Sequence, residues 1–92
     1  MSEADNTWRI AADGREHEIG IAHDPRTGRF VVTLDGIEIG DDRVAACRKK
    51  VDVPLGAHQA MVSVLPVMYA NLGPGARSEL HVDGRYVEPH RR

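Results

Sequence analysis

The sequence predicts an all-β domain, an antiparallel β-sandwich of about eight short strands joined by Asp-Gly hairpins. The main observation is an Asp-Gly dipeptide that occurs between stretches of alternating or β-branched residues, at Asp13-Gly14, Asp35-Gly36 and Asp83-Gly84. Both residues of a tight two-residue hairpin take a positive φ, which aspartate and glycine tolerate. The second observation is the spacing of the turn signals, roughly 8–12 residues, as in sandwiches and barrels.

The strands of the first half are predicted at residues 7–12, 15–23, 29–34 and 37–39. Alternation is clearest at 15–23, where one face is formed by His17, Ile19, Ile21 and His23. Such a period of two is typical of a strand with one buried face. A turn is expected at 24–28, because it contains Pro25 and Gly28.

The second half is less regular. Residues 41–50 could form a loop, a short helix or a strand, and we favour a loop that enters a strand at 48–53. A turn is expected at 55–58 and a strand at 59–65. Pro66 lacks an N–H, so it either ends that strand or places it at a sheet edge. A loop is expected at 71–75, followed by a last hairpin with strands at 77–82 and 86–88.

Two eight-residue stretches, 29–36 and 77–84, share an initial arginine, an apolar residue and a final Asp-Gly. They indicate either two similar half-sheets or one hairpin solution used twice.

Length and charge limit the classes of protein. The chain has 92 residues, enough for one domain, which we place at 7–88 between a disordered N-terminus at 1–6 and a basic tail at 89–92. A net charge of −2 provides no general attraction to nucleic acids or anionic membranes. No signal peptide or membrane-spanning run is evident. The single cysteine, Cys47, excludes an intrachain disulfide and favours the cytoplasm.

The five histidines raise the hypothesis of a metal or small-ligand site that uses His17, His23, His58 or His81. His17 and His23 lie six residues apart, roughly 20 Å along a strand, so other strands would have to supply further ligands. The alternative is that His17 packs over Trp8 or bonds a backbone carbonyl, while the other histidines face solvent.

No catalytic arrangement is evident, and no cofactor is expected. Cys47 follows Val-Ala-Ala and is predicted to be a buried, inert thiol. Neither Ser63 nor Ser78 lies in a nucleophile motif. We therefore expect a protein that is not an enzyme.

The stretch 61–72 is apolar on both strand faces, which indicates either a central strand or an exposed patch. In a thin domain a patch would suit a protein partner or a second copy of the chain. The candidate partner-binding residues are Met61, Leu65, Val67, Met68, Tyr69 and Leu72.

An ordered set of motifs resembles the Fas apoptotic inhibitory molecule family. The residues that carry it are Trp8, Asp13-Gly14, His17, Ile19, His23, Thr27-Gly28-Arg29, Val32, Asp35-Gly36, Leu80 and Asp83-Gly84. The resemblance implies a compact β-sandwich with a cytosolic, protein-binding role linked in animals to death-receptor signalling and protection against aggregation. It gives a structural role to Trp8, His17, Gly28, Asp35, Gly36, Asp83 and Gly84. The animal proteins carry tandem domains and an aromatic-rich strand, where this chain has one domain and Arg-Ser-Glu-Leu at 77–80.

The favoured hypothesis is thus a non-enzymatic protein-interaction module that protects partners from aggregation or forms a homodimer. The alternative is a small-ligand or metal-binding β-sandwich that uses surface histidines.

Overall fold

A computed structural model describes residues 5–44, 47–69 and 73–90, apart from the side chains of Tyr69 and Pro74. The described residues form two four-stranded antiparallel sheets, which confirms the predicted all-β sandwich. The first sheet contains, in spatial order, β1 (Asn6–Ala12), β2 (Arg15–His23), β3 (Arg29–Leu34) and β4 (Ile37–Arg43). The second contains, in spatial order, β5 (Lys49–Leu55), β6 (His58–Tyr69), β7 (Gly73–Val82) and β8 (Arg85–Val87). Within the described residues no helix could span a membrane.

The three Asp-Gly turns adopt the predicted backbone geometry. Asp13, Asp35 and Asp83 have φ values of 53°, 51° and 51°, and the glycine after each aspartate also has a positive φ. These turns connect β1 to β2, β3 to β4 and β7 to β8. Positive φ at both central residues gives the twist that matches neighbouring antiparallel strands. The dipeptides therefore determine where three of the hairpins reverse.

The core lies between the two sheets and agrees with the predicted strand faces. On β2, Ile19 and Ile21 are buried while Glu18 and Ala22 are exposed. The largest fully buried side chains are Trp8, Phe30, Ile19, Leu55, Leu80, Val32, Val62 and Val64. They come from β1, β2 and β3 in the first sheet and from β5, β6 and β7 in the second. Each sheet therefore contributes one apolar face to a single core.

The sheets meet along two sides of the sandwich. On one side, Trp8 Nε1 donates a hydrogen bond to the Val87 carbonyl at 3.2 Å. The backbone N–H of His90 donates to the Thr7 carbonyl at 2.6 Å, so the chain after β8 runs beside β1. On the other side, Gly40 of β4 packs on Val51 of β5. The first sheet thus lies over the second with β1 near β8 and β4 near β5.

The two similar sequence stretches occupy equivalent places. Each contains the third strand of a four-stranded meander and the aspartate of the hairpin that follows it. The registers also correspond at the residue before each turn aspartate. In the first sheet Leu34 lies opposite Ile19, and in the second Val82 lies opposite Ala60. The similarity therefore reflects two similar half-sheets rather than only a repeated turn.

Two predicted loops are partly strand. β4 continues to Arg43 instead of giving way to a loop at 41, because Asp42 pairs with Phe30 of β3. Arg29 also holds Asp41 through Nε and Nη2 at 2.9 and 2.5 Å. The expected loop at 71–75 is partly strand, since Gly73 already pairs with Tyr69. Residues 70–72 lie outside the described part of the chain.

Pro66, for which two outcomes were predicted, lies inside β6 and pairs with Ala76 of β7. β5 pairs with β6 only as far as Val64, so Pro66 has a neighbouring strand on one side only. A proline without an N–H is tolerated where one side of the strand carries no ladder. Of the two predicted outcomes, the local edge is therefore correct and the strand end is wrong.

Candidate functional site

Asp35, in the turn between β3 and β4, is bound to the neighbouring strand β2. Its carboxylate lies 2.8 Å from His17 Nδ1 and accepts the Glu18 N–H at 2.8 Å. Its own backbone N–H donates to the Glu18 carbonyl at 2.7 Å. We call this group of His17, Glu18 and Asp35 the first His–Asp clamp. The clamp holds the β3–β4 hairpin against β2. His17 therefore contacts the Asp35 carboxylate, and not Trp8 or a backbone carbonyl as predicted.

The same arrangement occurs in the second sheet. The Asp83 carboxylate lies 2.8 Å from His58 Nδ1 and accepts the Gln59 N–H at 2.9 Å. The Asp83 N–H donates to the Gln59 carbonyl at 2.7 Å. We call this group the second His–Asp clamp. The equivalence of the two clamps was not predicted, although both similar sequence stretches contain the aspartate of their clamp in the final Asp-Gly.

The clamps favour the ionised aspartates. The Glu18 N–H, followed by the His17 ring, lowers the pKa of Asp35 below its usual value. The His58 ring, followed by the Gln59 N–H, lowers the pKa of Asp83. In return, the hydrogen bond and charge of Asp83 raise the pKa of His58. The side chain of His58 is 40% exposed against 16% for His17, so the second clamp is the more accessible to solvent.

The predicted partner-binding residues lie on both faces of β6. Met61, Leu65 and Val67 are half-buried and lie on the outer face of the second sheet, while the alternate residues of β6 face the core. On that outer face Met61 lies between Asp52 and His81. Met68 alternates to the opposite face and is 75% exposed. The side chain of Tyr69 and all of Leu72 lie outside the described residues.

Met68 borders a shallow open groove at one end of the sandwich. The groove lies between the end of β6 and the turn after β2, and its apolar lining is formed by Pro25, Val44, Pro66, Val67 and Met68. Arg26 and His23 also line it. We call it the Met68 groove. Gly28 also lines the groove and packs closely on Val44, because a Cβ at Gly28 would lie 2.6 Å from the Val44 carbonyl oxygen.

The remaining histidines are dispersed. His23 is buried, which corrects the expectation that it faces solvent, since the end of β2 is covered where the Asp5 carboxylate accepts the His23 N–H at 2.7 Å. His81 makes an edge contact with the Tyr86 ring at 5.8 Å between centroids. Among residues 5–44, 47–69 and 73–90, no three metal-ligating side chains come together.

Cys47 is exposed, contrary to the predicted buried thiol. The apolar residues before it suggested packing, but β4 has already ended at Arg43 and β5 begins at Lys49, so Cys47 lies in the connection outside both sheets. The structure does not describe residues 45–46. Ser63 and Ser78 are both buried, and the Ser78 hydroxyl is bound by Asn6 Nδ2 at 2.6 Å.

The sandwich and its two clamps define the class as an all-β domain built from two equivalent four-stranded meanders. No protein-family model matches the sequence, and no curated protein matches it.

Proposed function

We propose that this chain is a non-enzymatic protein-binding module that holds an extended, apolar segment of an unfolding partner in the Met68 groove. The observation that carries the proposal is the exposure of Met68, 75%, beside Pro66 and Val67 on a strand that projects past its neighbour. Methionine is flexible and polarisable, so it adapts to apolar partners of varied shape. Exposed apolar surface at a groove is a common mark of protein interaction.

The shape of the second sheet supports an extended partner. β6 pairs with β5 as far as Val64, and its last residues pair with β7 alone. The molecule measures 44 × 25 × 23 Å along its principal axes, which agrees with a ribbon that projects from the sandwich. An extended segment can lie along such a ribbon and place alternate side chains in the groove.

The family resemblance described above supports the same role, because it implies protein binding and protection against aggregation. Cytoplasmic location belongs to this proposal, since the exposed, unpaired Cys47 suits a reducing compartment. The alternative, a metal or small-ligand site at the histidines, has less support. His17 and His58 are each held by an aspartate of a hairpin turn, which gives both a structural role.

The test is light scattering of heat-denatured citrate synthase in the presence of the protein. The wild type should suppress scattering, and Met68→Ser should lose most of that protection. Tyr86→Ser is the matched control, because Tyr86 is 52% exposed but lies beside His81, near the opposite end of β6. Thermal melting of both variants should stay close to the wild type, since surface changes cost about 0.5 kcal/mol or less.

Equal protection by wild type and Met68→Ser would contradict the groove assignment. Absence of protection by the wild type would contradict the proposed function itself. Heteronuclear NMR with reduced, unfolded α-lactalbumin provides a direct second readout, in which the signals of Val44, Val67 and Met68 should shift.

A further inference from the structure

The two open sheet edges lie on the same side of the molecule. β4 is the last strand of the first sheet, and β5 is the first strand of the second. A Cβ on Gly40 would lie 2.7 Å from Val51 Cγ1, so β4 and β5 run at the same level, one above the other. We call this the open side.

The opposite side is covered by the chain itself. There the segment after β8 bonds to β1 through His90 and Thr7, and Trp8 bonds to Val87. Asn6 Nδ2 also reaches the Ser78 hydroxyl of β7 at 2.6 Å. In the part of the chain that the structure describes, the outer edges of β4 and β5 carry no backbone hydrogen bonds of this kind. An uncovered edge presents N–H and C=O groups that can pair with another strand.

The charges of the two open edges are complementary. β4 ends with three exposed charged residues, Asp41, Asp42 and Arg43. Asp41 is already bound by Arg29 of β3, so Asp42 carries the free negative charge of this edge. β5 begins with Lys49 and Lys50, of which Lys50 is exposed and Lys49 half-buried. Pairing β4 with β4 of a second copy would bring acidic residues together, and pairing β5 with β5 would do the same for lysines. Pairing β4 with β5 places opposite charges side by side, which stabilises cross-strand pairs.

A two-fold axis parallel to the strands allows β4 of each copy to pair with β5 of the other copy at the same time. Rotation about such an axis does not change a residue's position along the strand direction. Because Gly40 and Val51 lie at the same position within one molecule, Gly40 comes opposite Val51 of the second copy. From there the antiparallel register places Asp41 opposite Lys50 and Asp42 opposite Lys49. Because β4 and β5 are stacked within one molecule, both edges pair in a single closed contact, as two-fold symmetry requires.

We infer that two copies of this chain form a closed dimer in which β4 of each copy adds to β5 of the other. The two sheets of one copy then continue into the two sheets of the other. The irregularity in β4 pairing between Val32 and Thr33 confines the regular ladder to the end of β4, from Gly40 onward. This contact uses the edges of β4 and β5, whereas the Met68 groove is lined by Val44 and the end of β6. The inference therefore does not rest on the proposed function.

The test is sedimentation equilibrium of the full chain at several salt concentrations. The wild type should be dimeric, and the dimer should weaken as salt rises, because salt screens exposed charges. Asp42→Lys and Lys49→Asp should each raise the dimer dissociation constant by roughly tenfold or more. The double variant with both changes restores opposite charges across the contact, so it should regain most of the affinity.

Arg85→Glu is the charge-reversal control, since it lies on β8, away from the open side, and should leave the dissociation constant unchanged. Circular dichroism of each variant checks that the sandwich is intact. A wild type that stays monomeric at high concentration would overturn the inference. So would a dimer that tolerates both single reversals, or one that the double variant does not restore. A dimer abolished instead by Met68→Ser would place self-association at the groove.

Discussion

His58 Nδ1 lies 2.8 Å from Asp83 Oδ2, and this contact across the second sheet repeats the His17–Asp35 contact of the first sheet at the same distance. The repetition means that each half of the sandwich closes its last hairpin with the same three groups: an imidazole, a backbone N–H and a carboxylate. The second pair is the more exposed, and the pKa values of both its members are displaced.

The first prediction concerns pH and the His58–Asp83 pair. The pKa of His58 is raised, so its contribution to stability is complete below about pH 6.5, its unfolded value, and is lost as pH rises through the folded value. The pKa of Asp83 is lowered, so its contribution is present above about pH 3.9 and is lost as pH falls. The pair therefore stabilises most between about pH 4 and 6.5.

Melting temperature against pH for wild type and Asp83→Asn measures this contribution. The difference between the two curves should be greatest in that window and should shrink on both sides. Asp52→Asn, at an exposed carboxylate on β5 outside the clamp, is the control for loss of a negative charge. A difference for Asp83→Asn that stays constant across the pH range would show that the pair does not couple stability to pH.

The second prediction compares two glycines that share a positive φ. Gly28 and Gly36 have φ values of +78° and +82°. A Cβ at Gly36 would meet nothing within 4 Å, whereas a Cβ at Gly28 would lie 2.6 Å from the Val44 carbonyl oxygen. Gly36→Ala should therefore cost about 1 kcal/mol of unfolding free energy for the backbone alone. Gly28→Ala should cost about 2–4 kcal/mol, because backbone must also move. Urea unfolding of both variants tests the order, and equal costs would contradict the packing of Val44 on this turn.

The third prediction follows from the exposed Cys47. Its thiol should react with Ellman's reagent in the folded protein, without denaturant and in a 1:1 ratio of thiol to chain. Cys47→Ser provides the blank. Reaction only after unfolding in guanidinium chloride would mean that the thiol is packed, as its apolar neighbours in the sequence had suggested.

The features predicted correctly from the sequence are the local ones. An Asp-Gly turn is specified by the positive φ of two adjacent residues, and the buried face of β2 by alternation over nine residues. Both signals lie within one short stretch, so no knowledge of distant neighbours is needed. This is why the Asp-Gly hairpins and the buried faces of β2 and β3 could be predicted.

The features that sequence reasoning missed depend on residues far apart in the chain. His17 and Asp35 are separated by 18 positions, and His58 and Asp83 by 25, so neither clamp has a local signal. Asp41 belongs to a strand only because Arg29 and β3 lie beside it. For the candidate site, the apolar stretch at 61–72 gave no indication of how its side chains are divided between the two faces of β6. Alternation along β6 sends Met61 and Met68 to opposite faces.

The fourth prediction concerns the contact between Gly40 and Val51. Because a Cβ on Gly40 would come within 2.7 Å of Val51 Cγ1, Gly40→Ala should destabilise the fold by about 1–3 kcal/mol. Val51→Ala removes the atoms in the way, so the double variant should be more stable than the sum of the single effects predicts. Urea unfolding at one fixed protein concentration gives all four free energies of the cycle. Strictly additive losses of unfolding free energy would mean that Gly40 of β4 and Val51 of β5 are not in contact.

The last prediction concerns Trp8, the only tryptophan, which is fully buried and bonds to the Val87 carbonyl through Nε1. Trp8→Phe removes the donor and part of the ring volume, so it leaves a carbonyl without its partner beside a new cavity. We expect a loss of about 2–4 kcal/mol. Phe30→Leu is the control, because Phe30 is equally buried but carries no polar atom, and about 1 kcal/mol is expected there. Urea unfolding followed by far-ultraviolet circular dichroism compares the two without relying on tryptophan fluorescence. A Trp8→Phe cost no larger than that of Phe30→Leu would mean that the bond to Val87 adds nothing to the joining of β1 and β8.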